Sequence, residues 1–481
     1  MQSRTIHLFA AFFGLVAIAS LPPVSVRAES LLIRNARLID GTGAPPRTAV
    51  GILVRDGWIA TIAPNLTAPD TPVLDAGGAT VLPGLIDAHV HLGVVPGSGQ
   101  RHDPPEVTRA LRRQHLRAYL ACGVTTVLDT SIDPAIARDI QSWLAAGEPG
   151  PRFLTLGPGF VTPGGYLSDV SQPTANLEDV SARFALLEEL GAVGVKVFLE
   201  RGFGLRPVWP IPSPEIQAAI VRTATARRLP IYVHAQHEED MGLALAMGAR
   251  AIVHGGFYDA APAEDFVRRM VESGAYLMTT FSLADAQSIG FHPERLDDRL
   301  VRLTVPALEL ATARDPASER FLARAQIGMA EPLVPGFLQN AVARFMLTDA
   351  SMVQRLASSQ QAVRRFWAAG VPIVAGSDSG NWPIDPYHFH GPTTLRELEL
   401  LGTAGLPPAD ALVSATRIPA RMLGLADEIG TVEVGKRADL VIVRDDPLRD
   451  LGALRTVEWT IKGGVARTPE EWMGSEPPPR S

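Results

Sequence analysis

The chain has 481 residues, of which 46% are apolar, 20% charged and 6% aromatic. That balance supplies a large core and excludes a disordered chain, a collagen-like repeat and a small disulfide scaffold. A formal charge of -7 and a pI near 5.9, with no basic run, argue against a nucleic-acid partner. The single cysteine, Cys122, excludes an internal disulfide and a thiolate metal cluster, so any metal must sit on His, Asp, Glu or Lys.

Residues 1–28 differ in character from the rest of the chain. Arg4 gives a positive start, Leu8 to Leu21 is an uncharged apolar run of about fourteen residues, and Pro22-Pro23 leads to the small-residue site Val26-Arg27-Ala28 before Glu29. This is the layout of a signal peptide and predicts an exported chain, periplasmic or secreted after cleavage near Ala28. The run is shorter than the about 20 residues of a membrane span, and no later stretch is long and apolar enough, so no span is expected in the mature protein. Cleavage removes two arginines and no acid, taking the formal charge from -7 to -9.

Over 29–82 short strands are expected at 31–36, 51–54, 58–62 and 80–82, punctuated by Gly, Pro and Asp. The same texture returns over 427–470, at 430–432, 438–443 and 457–461. Two β-rich ends predict one small β-sandwich domain built from both ends of the chain, and the Pro-rich residues 471–481 read as a disordered tail. Between 83 and 426, apolar strands alternate with amphipathic helices, the pattern of βα units around a parallel sheet. Strands are expected at 85–92, 125–129, 153–156, 193–199, 231–234, 251–254, 276–280 and 373–378, with helices such as 106–120, 177–190, 214–228 and 264–273. Eight strands in series is the count of an α/β fold of the (β/α)8 TIM barrel type. The long gap before the eighth holds a helical insertion at about 284–350, placed to cover the barrel mouth.

The first barrel strand ends in Asp87-Ala88-His89-Val90-His91. Residues two apart on a strand share a face, so both imidazoles can reach one ion. Alone, such a pair is as readily structural. Later strands strengthen it: Lys196 stands where a core hydrophobe is expected on the fourth, His234 ends the fifth, His254 the sixth and Asp378 the eighth. Barrel active sites lie at these C-terminal strand ends. Burying one unpaired charge costs several kcal/mol, so stability does not explain six groups of metal-ligand type gathered there.

These residues sit in longer motifs. The lead-in Val81-Leu82-Pro83-Gly84-Leu85-Ile86-Asp87-Ala88-His89-Val90-His91 and the closing Gly430-Thr431-Val432-Glu433-Val434-Gly435-Lys436-Arg437-Ala438-Asp439-Leu440 resemble those of the amidohydrolase superfamily, over essentially the whole mature chain. Prolidase-like and imidazolonepropionase-like members match best in pattern. Gly157-Pro158-Gly159-Phe160 with Gly164-Gly165, His234-Ala235 leading to Gly248-Ala249, His254-Gly255, and Gly391-Pro392 with Arg396-Glu397-Leu398 support that branch.

The resemblance implies a binuclear metal centre. His89, His91 and Asp378 would bind one divalent ion, His234 and His254 the other, and Lys196, N-carboxylated, would bridge the two together with a hydroxide. An ammonium repels cations, whereas a carbamate offers two anionic oxygens to ions roughly 3.5–4 Å apart. Imidazole and carboxylate without thiolate suit Zn2+, with Mn2+, Co2+ or Fe2+ as alternatives. An unmodified Lys196 would leave one metal at most. The implied reaction is attack of the bridging hydroxide on a polarised carbonyl, with Asp378 as base and then acid. It hydrolyses an amide-like C–N bond in a small-molecule or short-peptide substrate of the peptide or N-acyl amino acid type.

Lactone, ester or phosphotriester hydrolysis would use the same hydroxide and stays open. A deaminase fits less well: its His-x-x-Glu pattern is missed, because His234-Ala235-Gln236-His237-Glu238 puts the glutamate one position late. A catalytically silent scaffold would be expected to lose ligands, and all six are present. Homo-oligomers are common among similar enzymes. For substrate contacts the loops offer His237, Tyr166, Arg201 and Trp382. Loop 381–390, with two histidines and three aromatics, either walls an apolar pocket or packs beneath the insertion. His102, His115 and His292 are expected at the surface and Cys122 in the interior.

Overall fold

The computed structural model describes residues 30–94, 105–168, 171–202, 209–255, 262–286, 288–289, 292–318, 334–381 and 385–474. The expected signal peptide, His102, Trp382 and residues 475–481 of the expected tail lie outside them.

The chain opens with β1 (Ser30–Leu38), β2 (Arg47–Arg55), β3 (Trp58–Pro64), β4 (Val73–Asp75) and β5 (Thr80–Pro83). β2 and β3 meet through Asp56-Gly57, both at positive φ (50° and 81°), the conformation of a tight hairpin whose twist matches its strands. Eight strands come next in series: β6 (Leu85–Val90), β7 (Val124–Asp129), β8 (Arg152–Thr155), β9 (Val195–Phe198), β10 (Ile231–His234), β11 (Ala251–Val253), β12 (Tyr276–Thr279) and β13 (Ile373–Ala375). β14 (Leu440–Val443), β15 (Val457–Lys462) and β16 (Val465–Arg467) complete the set.

The two ends of the chain do meet. β5 pairs antiparallel with β14, Thr80 opposite Val443 and Pro83 opposite Leu440, joining the terminal strands into one sheet of order β16-β15-β14-β5-β1-β2-β3, with β4 also on β1. Ile33, Ile52, Val81, Leu440, Ile442 and Ile461 are its core. The expected β-domain is thus a single eight-stranded mixed sheet. No strand forms at 430–432, and the short β4 and β16 come in addition. A helix at Pro469–Met473, boxed by Thr468 and Glu471 and with Trp472 buried, carries ordered structure to Gly474, past the expected start of the tail.

The middle strands are all parallel, in a three-stranded sheet β6-β7-β8 and a five-stranded sheet β13-β12-β11-β10-β9. Isolated parallel bridges, Val90 to Ser379 and Phe160 to Val197, link the two at both edges. The arrangement is barrel-like, and its two seams are thin for local reasons. After β8 the segment Gly157-Pro158-Gly159 offers a proline with no N–H, and after β13 Asp378 turns out of the strand.

Along each strand the side chains alternate. Val195, Val197, Ile231, Val233, Ile252, Leu277 and Ile373 join the helices in the main core. Tyr232, Ala251, Val253, Met278 and Val374 form a second buried cluster with Ala88 and Leu128. Lys196, in register with Tyr232, has the parity of this inner set. Helices Leu177–Glu189 and Pro214–Arg227 start where the sequence signals it, at the Asn176/Asp179 capping box and at Ser213-Pro214.

Between β12 and β13 the chain is helical at Phe281–Ala286, Arg299–Thr304, Ala307–Ala313, Gly336–Met346 and Asp349–Ala368. Leu296, Val301, Val305 and Ala313 from this region pack on Tyr387 and Phe389, so these two loop-eight aromatics are packing partners of the insertion. They also border a cavity of about 420 Å3 beside Asp285, Arg396 and Arg455.

Candidate metal centre

His89 is on β6, His91 one residue beyond it, Lys196 on β9, His234 at the end of β10, His254 just past β11 and Asp378 three residues past β13. His254 and Asp378 take positive φ, 63° and 56°. In residues other than glycine this conformation costs of order 1 kcal/mol and gathers at functional sites. It also explains why β11 and β13 end before the residues expected to close them. Gly376 is required here: a Cβ on it would stand 2.6 Å from that of His89. A Cβ on Gly380, at φ 98°, would stand 2.2 Å from the His91 carbonyl oxygen.

The backbone around the pair is pinned from below. Buried Asp87 accepts hydrogen bonds from His89 N (3.2 Å), Ser377 N (3.0 Å) and Thr394 Oγ1 (2.6 Å), tying β6 to the segment carrying Asp378. Buried Asp129 accepts from Leu92 N (2.7 Å) and Ser131 N (3.1 Å), holding the turn after His91; burial pushes its pKa up to about 6.

Three ligand-type side chains converge. His89 Nε2 and His91 Nε2 lie 3.1 Å apart, and Asp378 Oδ1 is 3.4 Å from the first and 2.9 Å from the second. The ligand atoms of all three fall within 4.8 Å of one another, the span one ion can bind. His254 stacks against this group, its ring 4.9 Å from that of His89 and Nδ1 3.9 Å from Asp378 Oδ2, and His234 lies beyond it, 4.5 Å from His254. Four imidazoles and a carboxylate therefore form one continuous cluster, buried except at the partly exposed His91.

Burial and mutual charge set its electrostatics. Burial, helped by the Lys196 ammonium, holds His89 well below the usual imidazole range; His234 and His254 are lowered by burial too. Burial would lower His91 as well, but the Asp378 carboxylate beside it more than offsets this and raises it. Burial would raise Asp378, yet His89, His91 and His254 hold it well below the carboxylate range. Lys196, 1% exposed, has no hydrogen-bond partner on Nζ, and burial brings its amine down to about 7.

The substrate candidates divide. Tyr166 stands at the cluster, its ring 5.3 Å from His234, 5.3 Å from Trp209 and 5.9 Å from Phe198. His237 is the residue before helix Glu238–Ala246, with Nε2 3.4 Å from the Gly202 carbonyl oxygen. Arg201 is turned to its own carboxylates, ion-paired with Glu239 and Asp240 at 2.8 Å each, so its charge is already matched. Trp382 lies outside the described residues.

Other buried polar residues stand out only in three dimensions. Glu200, two residues past β9, is 1% exposed and bonds His234; burial pushes its carboxyl up to about 7. His115, expected at the surface, is 1% exposed, 2.5 Å from Glu309 of the insertion and stacked on His390, which in turn bonds Tyr119. His292 is half-exposed beside Glu294 and Asp349, and Cys122 is buried, as expected. The only local sign of Glu200 was an acid directly after an apolar strand; His115 had none, since its partner is 194 positions away.

The chain belongs to the amidohydrolase family, whose model matches residues 80–467. Members of this family are hydrolases. A dihydroorotase of Solibacter usitatus (strain Ellin6076) is 48% identical over 62 residues, only 13% of this chain and 14% of the relative. An imidazolonepropionase of Symbiobacterium thermophilum is 24% identical and covers 86% of this chain and 91% of its own length. The crystal structure of a Xaa-Pro dipeptidase with bound methionine superimposes at a TM-score of 0.69 with 24% identity, over 91% of this chain and all of the other. That likeness is one of fold. Among the described residues, no helix is long and apolar enough to cross a membrane.

Proposed function

We propose that this chain is a metal-dependent amidohydrolase that cleaves an amide-like C–N bond in a short peptide or N-acyl amino acid. Two divalent cations, zinc by donor type, would be held by His89, His91 and Asp378 and by His234 and His254, with a carboxylated Lys196 between them. The names of the prolidase-like neighbour and the imidazolonepropionase relative favour C–N bonds. One observation carries the reading: a buried amine with no hydrogen-bond partner stands within electrostatic reach of a cluster of imidazoles and one carboxylate. Such an amine is a liability unless its nitrogen is converted into a group that cations need.

The donor set fits the ions. All six side chains offer nitrogen or oxygen, and the three nearest one another are within reach of a single ion. Bound there, the cations would supply Lewis acidity, lowering the pKa of water and polarising a carbonyl. The protein supplies the proton transfers. Asp378, held charged at neutral pH, takes the proton that water loses on a carboxylate oxygen and delivers it to the departing nitrogen. Tyr166, its ring against His234 on one side and Trp209 on another, forms a wall for the substrate's side chain. Residues 1–28 direct export in this reading, so the substrate is met outside the cytoplasm.

The test is purified mature protein loaded with Zn2+ and assayed against dipeptides and N-acyl amino acids, beside lactones and phosphotriesters. Hydrolysis of the amides is expected. Turnover of lactones or phosphotriesters alone would overturn the amide assignment.

A further inference from the structure

Each later imidazole has one nitrogen already engaged, and the two differ in which. His254 uses Nδ1, 2.7 Å from Thr280 Oγ1. His234 uses Nε2, 3.0 Å from Glu200 Oε2; the Gln236 side-chain nitrogen lies 3.3 Å from the same atom while Gln236 Oε1 has no partner, so the amide turned end for end accepts there beside Glu200. The nitrogens left over are therefore Nε2 on His254 and Nδ1 on His234. A neutral imidazole carries one proton, and the hydrogen bond made by one nitrogen decides which nitrogen is left with a lone pair for a metal.

Glu200 is built for that task. It lies two residues past β9 and four after Lys196, is 1% exposed, and takes a second hydrogen bond from Gly202 N to Oε1 (2.8 Å). One carboxylate oxygen anchors to the backbone and the other faces the ring, so the carboxyl plane is fixed. Phe198 and Tyr166 stand 5.5 Å and 5.3 Å from the His234 ring, limiting its rotation. A carboxylate accepting from Nε2–H also makes the opposite nitrogen a stronger donor to a cation.

We infer that Glu200 is a positioning residue: it fixes His234 as the Nε2–H tautomer and presents Nδ1 to the second divalent cation. This rests on the two-cation reading above. Without the carboxylate, His234 would place its proton on either nitrogen and turn more freely, and the second ion would be held more weakly while the ion on His89, His91 and Asp378 would not be.

The experiment is a titration of the metal-free full-length mature chain with Co2+, read by visible absorption and by equilibrium dialysis with elemental analysis. Wild type should take up two ions in separable steps. In Glu200→Gln the amide has one acceptor oxygen where two donors, Gly202 N–H and His234 Nε2–H, need one each. Its second dissociation constant should rise 10–100-fold, the usual loss when such a partner is removed, with the first within about threefold. A changed spectrum for the second ion should accompany it. Should Glu200→Gln fail to fold, Glu200→Asp keeps the charge, withdraws it by one methylene, and should weaken the same step. Two unchanged constants, or both weakened alike, would overturn the role of Glu200 and leave the two-cation reading standing. A wild type that binds fewer than two ions would overturn both.

Discussion

Replacing Lys196 by methionine should change stability in opposite directions in the metal-free and metal-loaded protein. Nζ is buried without a hydrogen-bond partner, and burial takes its pKa from 10.5 to about 7. At about 1.4 kcal/mol per pH unit, holding that amine in the folded state costs up to about 5 kcal/mol once it is protonated in the unfolded chain. The sign is fixed: a lysine whose folded pKa is depressed destabilises the fold as pH drops below 10.5, with the full penalty below about 7. Methionine has similar length and no charge. After local relaxation, metal-free Lys196→Met should be about 2–4 kcal/mol more stable than wild type at pH 7. With unfolding entropy near 2.1 cal/mol/K per residue, that is a rise of about 2–4 °C in melting temperature for a chain of this size. The gap should narrow between pH 7.5 and 9.5. With Zn2+ and bicarbonate present the order should reverse, because only wild type can form the bridging carbamate. Differential scanning fluorimetry across pH, with and without metal, reads both. A metal-free Lys196→Met that melts below wild type at every pH would refute the reasoning.

The geometry sets three further outcomes. Asp378→Asn should fall at least about 100-fold in turnover as the proton acceptor is lost, and metal uptake measured alongside should remain; near-normal rates would remove Asp378 from proton transfer. Asp87→Ala strips the acceptor from three donors, His89 N, Ser377 N and Thr394 Oγ1, and should cost about 3–5 kcal/mol in urea unfolding; a loss under 1 kcal/mol would show that they find other partners. Intact mass of the protein exported by its native host should begin at Glu29, whereas a mass that includes Met1 would contradict the signal assignment.

The six ligand candidates were legible because their chemistry follows strand periodicity. A charged residue at inward parity on a buried strand, as at Lys196, or imidazoles two apart, as at His89 and His91, break an apolar pattern that packing alone would keep. All eight middle strands were legible for the same reason. Their ends were not: His254 and Asp378 leave the strand by a left-handed turn, and nothing in Ala251–Val253 or Ile373–Ala375 signals it. Glu200 reads locally as the first polar residue of a loop, and only the fold puts it against His234. His115 reads as one polar position on a helix, and its burial depends on Glu309 in the insertion. Arg201 reads locally as a free loop cation, and only the fold shows that Glu239 and Asp240 are paired with it.

The central claim is that two cations are held by side chains drawn from five separate strands. Anomalous diffraction at the zinc edge from crystals of the Zn2+-loaded protein tests it most directly. Two peaks are predicted, one bounded by His89, His91 and Asp378, the other by His234 and His254, with density for a carboxylated Lys196 reaching both. A single peak beside an unmodified Lys196, or zinc bound away from these residues, would contradict it.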